Sequence, residues 1–337
     1  MATAVKSKKD WESDQEPRWC PGCGDYAVLN AVASFMPEIG LPPERVVFIA
    51  GIGCAGRFAY YMNTYGVHGI HGRALPLASG LAVTRPDLSV WVITGDGDSL
   101  SIGGNHMIHA LRRNVPLKVL LFNNQIYGLT KGQYSPTSEV GKVTKSTPFG
   151  ALDHPFNPLA LALGAEASFV ARTLDVDRAH MTETLRAAAD HKGTAFIEIY
   201  QNCPVFNDHA FDALTDKETK QHNQIRLAHG EPIRFGPEGE RGVVQRSDGG
   251  LEIVDVNGGG DDGLLVHDAH RADPSLAFAL AHLSERPVGP TPIGVFRAVE
   301  RPVYGEAMEA QLEAAKAKLG SGDLAKLLRS GDTWVVD

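Results

Sequence analysis

The sequence has no excess of positive charge and no long apolar run, and each absence excludes a class of function. Lys and Arg number 32 against 40 Asp and Glu, which gives a formal net charge of −8. A nucleic-acid-binding protein would need a basic face, so this function is not expected. No apolar run approaches the ~20 residues that a membrane-spanning helix requires. We therefore expect a protein that binds neither nucleic acid nor membrane.

The N-terminal stretch "MATAVKSKKDWESDQ" also lacks the apolar core of a signal peptide, so a cytoplasmic location is expected.

Cysteine is scarce, with only four residues among 337, namely Cys20, Cys23, Cys54 and Cys203. Structural disulfides are not expected in a cytoplasmic chain of this size. The four thiols are thus free for a metal or for redox chemistry. The remaining composition, 43% hydrophobic and 21% charged, is typical of a globular protein with a sizeable core.

Strand-like and helix-like segments alternate along the first 200 residues. Short apolar, β-branched runs at 45–51, 88–97, 117–124 and 194–200 predict buried strands. Helical patterns lie between them at 25–36, 105–114 and 177–190, with Asp25 as the expected N-cap of the first. This alternation predicts an α/β fold with a mostly parallel sheet covered by helices on both faces.

The character of the sequence changes after Cys203. Residues 230–262 are rich in glycine and charge, and with the run "NGGGDDG" at 257–263 they indicate hairpins or surface loops. A late helix is expected at 306–319. We therefore predict a domain at 1–204 and an irregular C-terminal extension at 205–337 that wraps the core or a partner subunit.

A pair of strand ends carries oxygen ligands. Asp96 follows one strand in Gly95-Asp96-Gly97, and Asn124 ends the next strand, with 25 residues between the two motifs. In a parallel sheet both ends open on the carboxyl edge, where such folds bind ligands. A carboxylate and an amide oxygen suit Mg²⁺, which completes its shell with phosphate oxygens. Glycine would let backbone N–H groups approach a diphosphate.

This motif resembles the fingerprint of thiamine-diphosphate enzymes. In that family the aspartate, the second asparagine and a backbone carbonyl two residues later hold the metal. Carried over by this resemblance, the Mg²⁺ ligands are Asp96, Asn124 and the carbonyl of Ile126. Gly-Asp-Gly alone would be no more than an ordinary turn; the spacing and the double asparagine make the resemblance specific.

The cysteines fall at the same edge of the predicted sheet. Cys54 follows the first strand, Cys203 follows the fourth, and Cys20 and Cys23 precede the first helix. Four thiolates suit either Zn²⁺ or a [4Fe–4S] cluster. A zinc knuckle more often shows two Cys-x-x-Cys pairs, and only one is present. A redox dithiol would use only Cys20 and Cys23.

The segments around these residues resemble the β subunit of 2-oxoacid:ferredoxin oxidoreductases. They are "WCPGCGDY", "GIGCAGR", "HGIHGRALPLASGL", "GDGDSLSIGGNHMIHALRRN", "LFNNQIYGLTKGQYSPTS" and "QNCP", and they cover a little over half of the chain. The resemblance implies that the four cysteines hold one [4Fe–4S] cluster beside thiamine diphosphate. It also implies coenzyme A-dependent oxidative decarboxylation of a 2-oxoacid, with electrons passed to ferredoxin, and permits the reverse carboxylation.

Further residues take roles by the same resemblance. His71 is expected to assist proton transfer or bind the intermediate, and Arg73 or Lys131 to bind a carboxylate; the alternatives are a helix-capping histidine and a solvated lysine. The residues expected to contact the cofactor are Ile52, Gly53, Cys54, Ala55, His71, Gly95, Gly97, Asp98, Gly128 and Leu129.

The glutamate that activates thiamine diphosphate has no recognisable motif here. In the resembled family it comes from the α subunit, together with most of the coenzyme A site. We therefore expect an obligate α partner and an (αβ)₂ assembly. Several of these motifs resemble those of 2-oxoglutarate enzymes, so 2-oxoglutarate is the expected substrate and pyruvate is the alternative. A non-redox thiamine enzyme would leave the cysteines unexplained, and a zinc-stapled binding module would leave the Asp96–Asn124 spacing unexplained.

Overall fold

The structure is a computed structural model that describes residues 7–256, 260–284 and 289–336. Its strands are β1 Val46–Ala50, β2 Tyr65–His68, β3 Ser89–Gly95, β4 Leu117–Asn123, β5 Phe169–Leu174, β6 Ala195–Tyr200, β7 Gln224–Leu227, β8 Arg234–Phe235, β9 Arg241–Gln245, β10 Leu251–Asp255 and β11 Thr291–Ala298.

The α-helices are α1 Asp25–Phe35, α2 Phe58–Tyr61, α3 Ala74–Thr84, α4 Asp96–Leu100, α5 Gly104–Arg113, α6 Pro158–Gly164, α7 Arg178–Asp190, α8 Asp212–Thr215, α9 Lys220–Asn223, α10 Ser275–Ala281, α11 Tyr304–Leu319 and α12 Leu324–Leu328. Short 3₁₀ helices occupy Lys8–Trp11, Met36–Ile39, Pro43–Arg45 and Ala55–Arg57. No helix within the described ranges is long and apolar enough to cross a membrane.

Eight strands form one sheet in the order β2-β1-β3-β4-β6-β5-β11-β7. Every neighbouring pair is parallel except β5 and β11. The predicted mostly parallel α/β sheet is therefore confirmed. The four predicted strands are β1, β3, β4 and β6, which lie side by side at the centre, so their carboxyl ends share one edge.

Side chains alternate between the two faces of the sheet, and helices cover both. On β4, Leu117, Val119 and Leu121 pack into a core with α3, α5, α6 and α10. Leu120 and Phe122 point the other way, into a core with α1 and α7. Burial on both faces explains why these strands are continuous apolar runs, as expected for a parallel sheet covered by helices.

Strand β5 escapes sequence analysis because it carries a buried charge. Arg172 in its middle donates from Nε to Glu198 of β6 at 2.7 Å, and both side chains are almost fully buried. The Arg172 guanidinium also lies 4.9 Å from the Tyr200 ring centre. An arginine inside an otherwise apolar segment breaks the pattern that predicts a buried strand. Its charge can be buried because Glu198 on β6 compensates it.

The first helix begins differently from the expectation. Gly24 occupies the N-cap position of α1, and Asp25 is the first helical residue with a buried side chain. The prediction of Asp25 as N-cap is therefore wrong. The carboxylate points into the protein rather than back onto the first turn.

The region after Cys203 contributes to the main sheet. Strands β7 and β11 add to its edge, while β8, β9 and β10 form a separate antiparallel sheet within the segment expected to form hairpins. Residues 257–259 of the glycine-rich run lie outside the described residues. The late helix is confirmed as α11. The division at residue 204 remains a prediction, with two strands of the main sheet lying beyond it.

Candidate active site

A cavity of about 450 Å³ opens at the carboxyl edge of β1, β3 and β4. All ten residues predicted to contact the cofactor line it, from Ile52 to Leu129, and so do Asp96, Asn124 and Ile126. These residues come from segments far apart in sequence, which meet because adjacent parallel strands end side by side. In β3 and β4, Gly95 is in register with Phe122.

Asp96 is held at the start of α4 by two hydroxyl groups. Ser135 and Thr137 both donate to its Oδ2, at 2.5 and 2.7 Å. Burial raises the pKa of Asp96 to about 6, and these hydrogen bonds oppose the rise. Neither hydroxyl residue was predicted from the sequence. Both lie about 40 residues downstream in "QYSPTS", where only the fold shows that they reach Asp96.

Asn124 presents its side chain from the end of β4. Its Nδ2 donates to Gln201 Oε1 at 2.8 Å, which fixes the amide and leaves Oδ1 as the oxygen that faces the following turn. That oxygen accepts from the backbone N–H of Ile126 at 3.2 Å. Gln125 between them has φ of +56°, a left-handed conformation that turns the chain sharply.

Asp98 is the most heavily hydrogen-bonded acid of the cavity. Its Oδ1 accepts from His71 Nδ1 at 2.6 Å, from the N–H of Gly72 at 2.7 Å and from the N–H of Ile52 at 3.2 Å. Its Oδ2 accepts from Thr94 Oγ1 at 2.9 Å. One carboxylate therefore joins the ends of three separate segments. Sequence analysis gave it only a contact with the cofactor.

His71 is oriented by this carboxylate. Because Asp98 accepts a hydrogen bond from the Nδ1–H group of His71, the neutral imidazole ring has its lone pair on Nε2. Among the described residues no protein group bonds to that nitrogen, and the side chain is 42% exposed. The N-cap of α3 is Arg73, so the alternative of His71 as a helix cap is not what the structure shows.

Gly97 must be a glycine because Tyr127 crosses directly over it. A Cβ atom at Gly97 would lie 2.2 Å from Tyr127 Cε1. The Tyr127 hydroxyl donates to the Gly97 carbonyl at 2.8 Å, which fastens the second motif onto the first. Two of the sequence motifs are therefore in direct contact.

The four cysteines lie close enough for their charges to interact, and Cys54 is the one that lines the described cavity. A methyl group built on Gly128 would lie 3.6 Å from Cys54 Sγ and 3.5 Å from Cys203 Sγ. Burial raises the pKa of Cys54 to about 12, with further increases from Asp25, Cys203 and Cys20. Among the described residues, no three His, Cys, Asp or Glu side chains are placed to hold a single metal ion.

The Cys-x-x-Cys loop is fixed by contacts with its neighbours. Trp19 donates from Nε1 to the Cys54 carbonyl at 2.8 Å, which ties this loop to the end of β1. Gln201 donates from Nε2 to Cys23 Sγ at 3.3 Å. Burial raises the pKa of the Cys23 thiol, and Asp25 adds to the effect.

Asp25 is a buried acid that sequence analysis missed as a member of this site. It is 1% exposed and lines the cavity. Burial raises its pKa to about 7, and nearby Asp175 adds to the rise. Neither oxygen makes a well-formed hydrogen bond, although the Cys23 thiol is close enough to oppose the shift. The available sequence signal was an acid placed two residues after a Cys-x-x-Cys pair.

Arg73 and Lys131 are not on the cavity wall. Arg73 is half-buried at the start of α3, and its guanidinium donates to the Gly72 carbonyl at 3.4 Å, with no other hydrogen bond among the residues that the structure describes. Lys131 is exposed and has φ of +75° in the turn after Gly128. Their predicted roles with a substrate carboxylate stay predictions.

Comparison with known proteins agrees with this geometry. A family model described as the C-terminal TPP-binding domain of thiamine pyrophosphate enzymes matches residues 51–199. That match begins directly after β1 and runs from β2 into β6, and with the sheet it defines the class as a thiamine-diphosphate enzyme fold.

Two relatives of known name identify the family within this class. The chain is 60% identical to 2-oxoglutarate oxidoreductase subunit KorB of Mycobacterium tuberculosis, over 98% of this chain and 88% of the relative. It is 46% identical to 2-oxoacid:ferredoxin oxidoreductase subunit beta of Saccharolobus solfataricus, over 56% of this chain and 63% of the relative. The chain belongs to the family of 2-oxoacid:ferredoxin oxidoreductase β subunits, which are parts of multi-subunit oxidoreductases.

A solved structure matches almost the whole chain. It is 2-oxoglutarate:ferredoxin oxidoreductase from Magnetococcus marinus with 2-oxoglutarate, coenzyme A and succinyl-CoA bound. The TM-score is 0.76 at 30% identity, with 98% of both chains covered. The similarity therefore includes the region after Cys203, which the sequence motifs did not reach.

Proposed function

We propose that the chain is the β subunit of a 2-oxoglutarate:ferredoxin oxidoreductase. With its α subunit it catalyses coenzyme A-dependent oxidative decarboxylation of 2-oxoglutarate to succinyl-CoA and CO₂. Electrons pass through one [4Fe–4S] cluster to ferredoxin, and the reverse carboxylation is possible. The observation that carries this proposal is the common cavity, in which Asp96, Asn124 and Cys54 share one wall.

Oxygen donors support an Mg²⁺ site with Asp96, Asn124 and the Ile126 carbonyl as ligands. The first is a buried carboxylate oriented by two hydroxyl groups, and the second is an amide fixed by Gln201. Hard oxygen donors of this kind suit Mg²⁺ that also binds phosphate oxygens. The glycines at 95, 97 and 128 let backbone approach a diphosphate in the same cavity.

The sulfur donors support a [4Fe–4S] cluster held by Cys20, Cys23, Cys54 and Cys203. Burial raises the pKa of Cys54 to about 12, and the charges of Asp25, Cys203 and Cys20 add to the rise, so this site disfavours thiolates unless cations compensate their charge. Iron would supply that compensation. The hydrogen bond from Gln201 to Cys23 Sγ is of the kind that tunes cluster potential.

Thiamine diphosphate supplies the carbon nucleophile and the electron sink of this reaction, and the protein supplies position and electrostatics. Asp98 holds the His71 ring so that Nε2 faces away from the carboxylate, available to accept or return a proton. Ile52, Phe122 and Leu129 give this cavity part of its apolar lining. Arg73 and Lys131 remain candidates for a substrate carboxylate.

Several parts must come from a partner. The described cavity wall contains no glutamate, and the activating glutamate is expected on the α subunit together with most of the coenzyme A site. We propose an obligate α partner in an (αβ)₂ complex. Four unpaired thiols fit a reducing compartment, so we also propose a cytoplasmic location.

The proposal is tested on the chain co-purified anaerobically with its α subunit. We expect about four irons per β chain, no zinc, and one thiamine diphosphate. Zinc without iron would point to a zinc-stapled module. Thiamine diphosphate without iron would point to a non-redox thiamine enzyme. Either result would overturn the assignment.

Substrate choice is tested by initial rates with 2-oxoglutarate and with pyruvate, using coenzyme A and a ferredoxin or viologen acceptor. The expected result is a preference for 2-oxoglutarate. A strong preference for pyruvate, or equal rates across several 2-oxoacids, would contradict the substrate while leaving the reaction class intact.

A further inference from the structure

Helix α11 leaves the body of the protein with almost no cover. Its 16 residues include none that is buried. At 1.5 Å per residue the helix is about 24 Å long. Its first turns lie beside the end of α3, and the rest is open to solvent. A single helix this exposed is not stabilised by tertiary packing, which is the usual source of helix stability in proteins.

One side of α11 is nevertheless apolar and regular. Met308, Leu312, Ala315 and Leu319 follow one another at spacings of four, three and four, which is the pattern of a coiled-coil seam. Leu312 is 53% exposed and Leu319 is 79% exposed. The opposite side carries Ala310 and Ala317 beside the acids Glu306 and Glu313. The seam therefore presents exposed apolar side chains that a partner helix would cover.

The N-terminal half of the seam borders a groove between α11 and the rest of the protein. A cavity of about 320 Å³ separates α11 from the body, with Met308 and Leu312 on the helix side. Ala82, Val83 and Leu88 line the other side. An apolar side chain of a second molecule entering along the seam would fill this groove.

Charge beside the seam selects the partner. Glu309 and Lys316 flank the seam on the same side, one near each end. When two copies of α11 lie antiparallel, Glu309 of each copy meets Lys316 of the other, which gives two ion pairs. A parallel pair brings no opposite charges together. Within the described part of one copy, Lys316 bonds to Glu313 at 2.6 Å and also interacts with the charge of Glu309, through exposed contacts that are easily exchanged.

We propose that α11 pairs antiparallel with α11 of a second β subunit across a two-fold axis, and that Leu319 of each copy enters the groove of the other. The inference rests on the proposed (αβ)₂ assembly and names a β–β contact within it. A seam of two heptads buries less than the ~1,200 Å² of a standard interface, so it acts as part of a larger contact. The intact complex is therefore the correct object to test.

The test compares two matched double variants of the complete complex by sedimentation velocity over a dilution series. Leu312→Asp with Leu319→Asp places charge in the seam, whereas Ala310→Asp with Ala317→Asp places the same charge on the opposite side. We expect the first to raise the dissociation constant of (αβ)₂ into αβ by more than about tenfold. The second is expected to sediment as the wild type.

Charge reversal gives an independent readout. Glu309→Lys alone and Lys316→Glu alone each create like-charge contacts across the axis and should weaken the assembly. Together they recreate both ion pairs with reversed sign, so the double variant should recover the wild-type dissociation constant. A double variant that is as weak as the single variants would overturn the antiparallel pairing.

Two further results would overturn the inference. One is a complex whose (αβ)₂ assembly is unaffected by the seam variant. The other is loss of the α subunit from the purified complex, since this would make the α subunit the partner of the helix. Iron content, thiamine diphosphate content and 2-oxoglutarate turnover of the αβ unit are measured in the same samples. Failure of those three would contradict the proposed function instead.

Discussion

The substitution Asp98→Asn tests whether one buried carboxylate positions His71 for the reaction. Asparagine has the same shape, so its Oδ1 can still accept from His71, Gly72 and Ile52, which now donate to a neutral oxygen. On the other side the amide nitrogen meets the Thr94 hydroxyl, which rotates to accept. The change therefore removes charge while it preserves geometry.

The magnitude follows from these bonds. A hydrogen bond to a charged group contributes about 1.5–3 kcal/mol and a neutral one about 0.5–1.5 kcal/mol, so each bond loses about 1 kcal/mol. The weakening of the two hydrogen bonds from the backbone N–H groups of Gly72 and Ile52 destabilises this arrangement of the site by about 2 kcal/mol. The bond from His71 acts on the side chain that faces the reaction. We expect kcat to fall about fivefold to tenfold through that bond.

The assay is anaerobic viologen reduction by the complete complex, with 2-oxoglutarate and coenzyme A, alongside thiamine diphosphate content and melting temperature. His71→Ala supplies the background that separates positioning from general destabilisation. If Asp98 acts through His71, Asp98→Asn lowers the rate more in the wild type than in His71→Ala, where only the weaker backbone bonds from Gly72 and Ile52 remain to be lost. An equal loss in both backgrounds, or no loss in the wild type, would refute the reasoning.

Other predictions address the remaining parts of the site. Cys54→Ala should abolish ferredoxin reduction and lower iron content; full activity would refute the four-cysteine cluster. Asp96→Ala should lose thiamine diphosphate and retain iron, as measured on the anaerobic complex; parallel loss of both would mean that the site collapses. Gly97→Ala should lower cofactor affinity because its methyl group would overlap the Tyr127 ring, at 2.2 Å; unchanged affinity would contradict the contact. Burial, aided by Lys118, lowers the pKa of His191 from 6.5 to about 4. Its neutral form therefore stabilises the fold above pH 6.5, and that stability is lost as the pH falls toward 4, by about 1–2 kcal/mol between pH 7 and 5 for this partly exposed ring. His191→Gln should therefore lose less melting temperature than the wild type between pH 7 and 5, and an equal loss would contradict this sign.

The acid Asp25 shows that the proposed cluster site consists of more than its proposed ligands. Its carboxylate is buried beside Cys23 and lines the same cavity as Cys54. Charge at this point acts on any group that the cavity holds, because the buried surroundings screen it poorly. The site is therefore defined by its surrounding charges as well as by its sulfur and oxygen donors.

The region after Cys203 is more integrated than its composition indicated. Val295 and Phe296 of β11 lie in a strand that pairs with β5, and Ile225 of β7 belongs to one of the two main cores. Loop-like composition hides such strands because they are short and separated by long polar segments. Helices α11 and α12 have no buried side chain, and they carry exposed apolar side chains of the kind found at contact surfaces.

The sequence alone determined the strands that are buried on both faces and the motifs at their ends. β1, β3, β4 and β6 are continuous apolar runs because helices cover both sides of them, and this local signal needs no knowledge of their neighbours. The glycine, aspartate, asparagine and cysteine residues that follow these strands are equally local. For that reason the donors of oxygen and sulfur could be named from the sequence.

Tertiary structure decided everything that depends on two distant residues meeting. Arg172 is buried only because Glu198 lies beside it, and Asp96 is oriented by hydroxyls about 40 residues away. The bond that His71 donates to Asp98 joins the segments that follow β2 and β3. Such contacts have no local periodicity or spacing. They exist because parallel strands bring their carboxyl ends to one edge, and the order of those strands is a property of the whole fold.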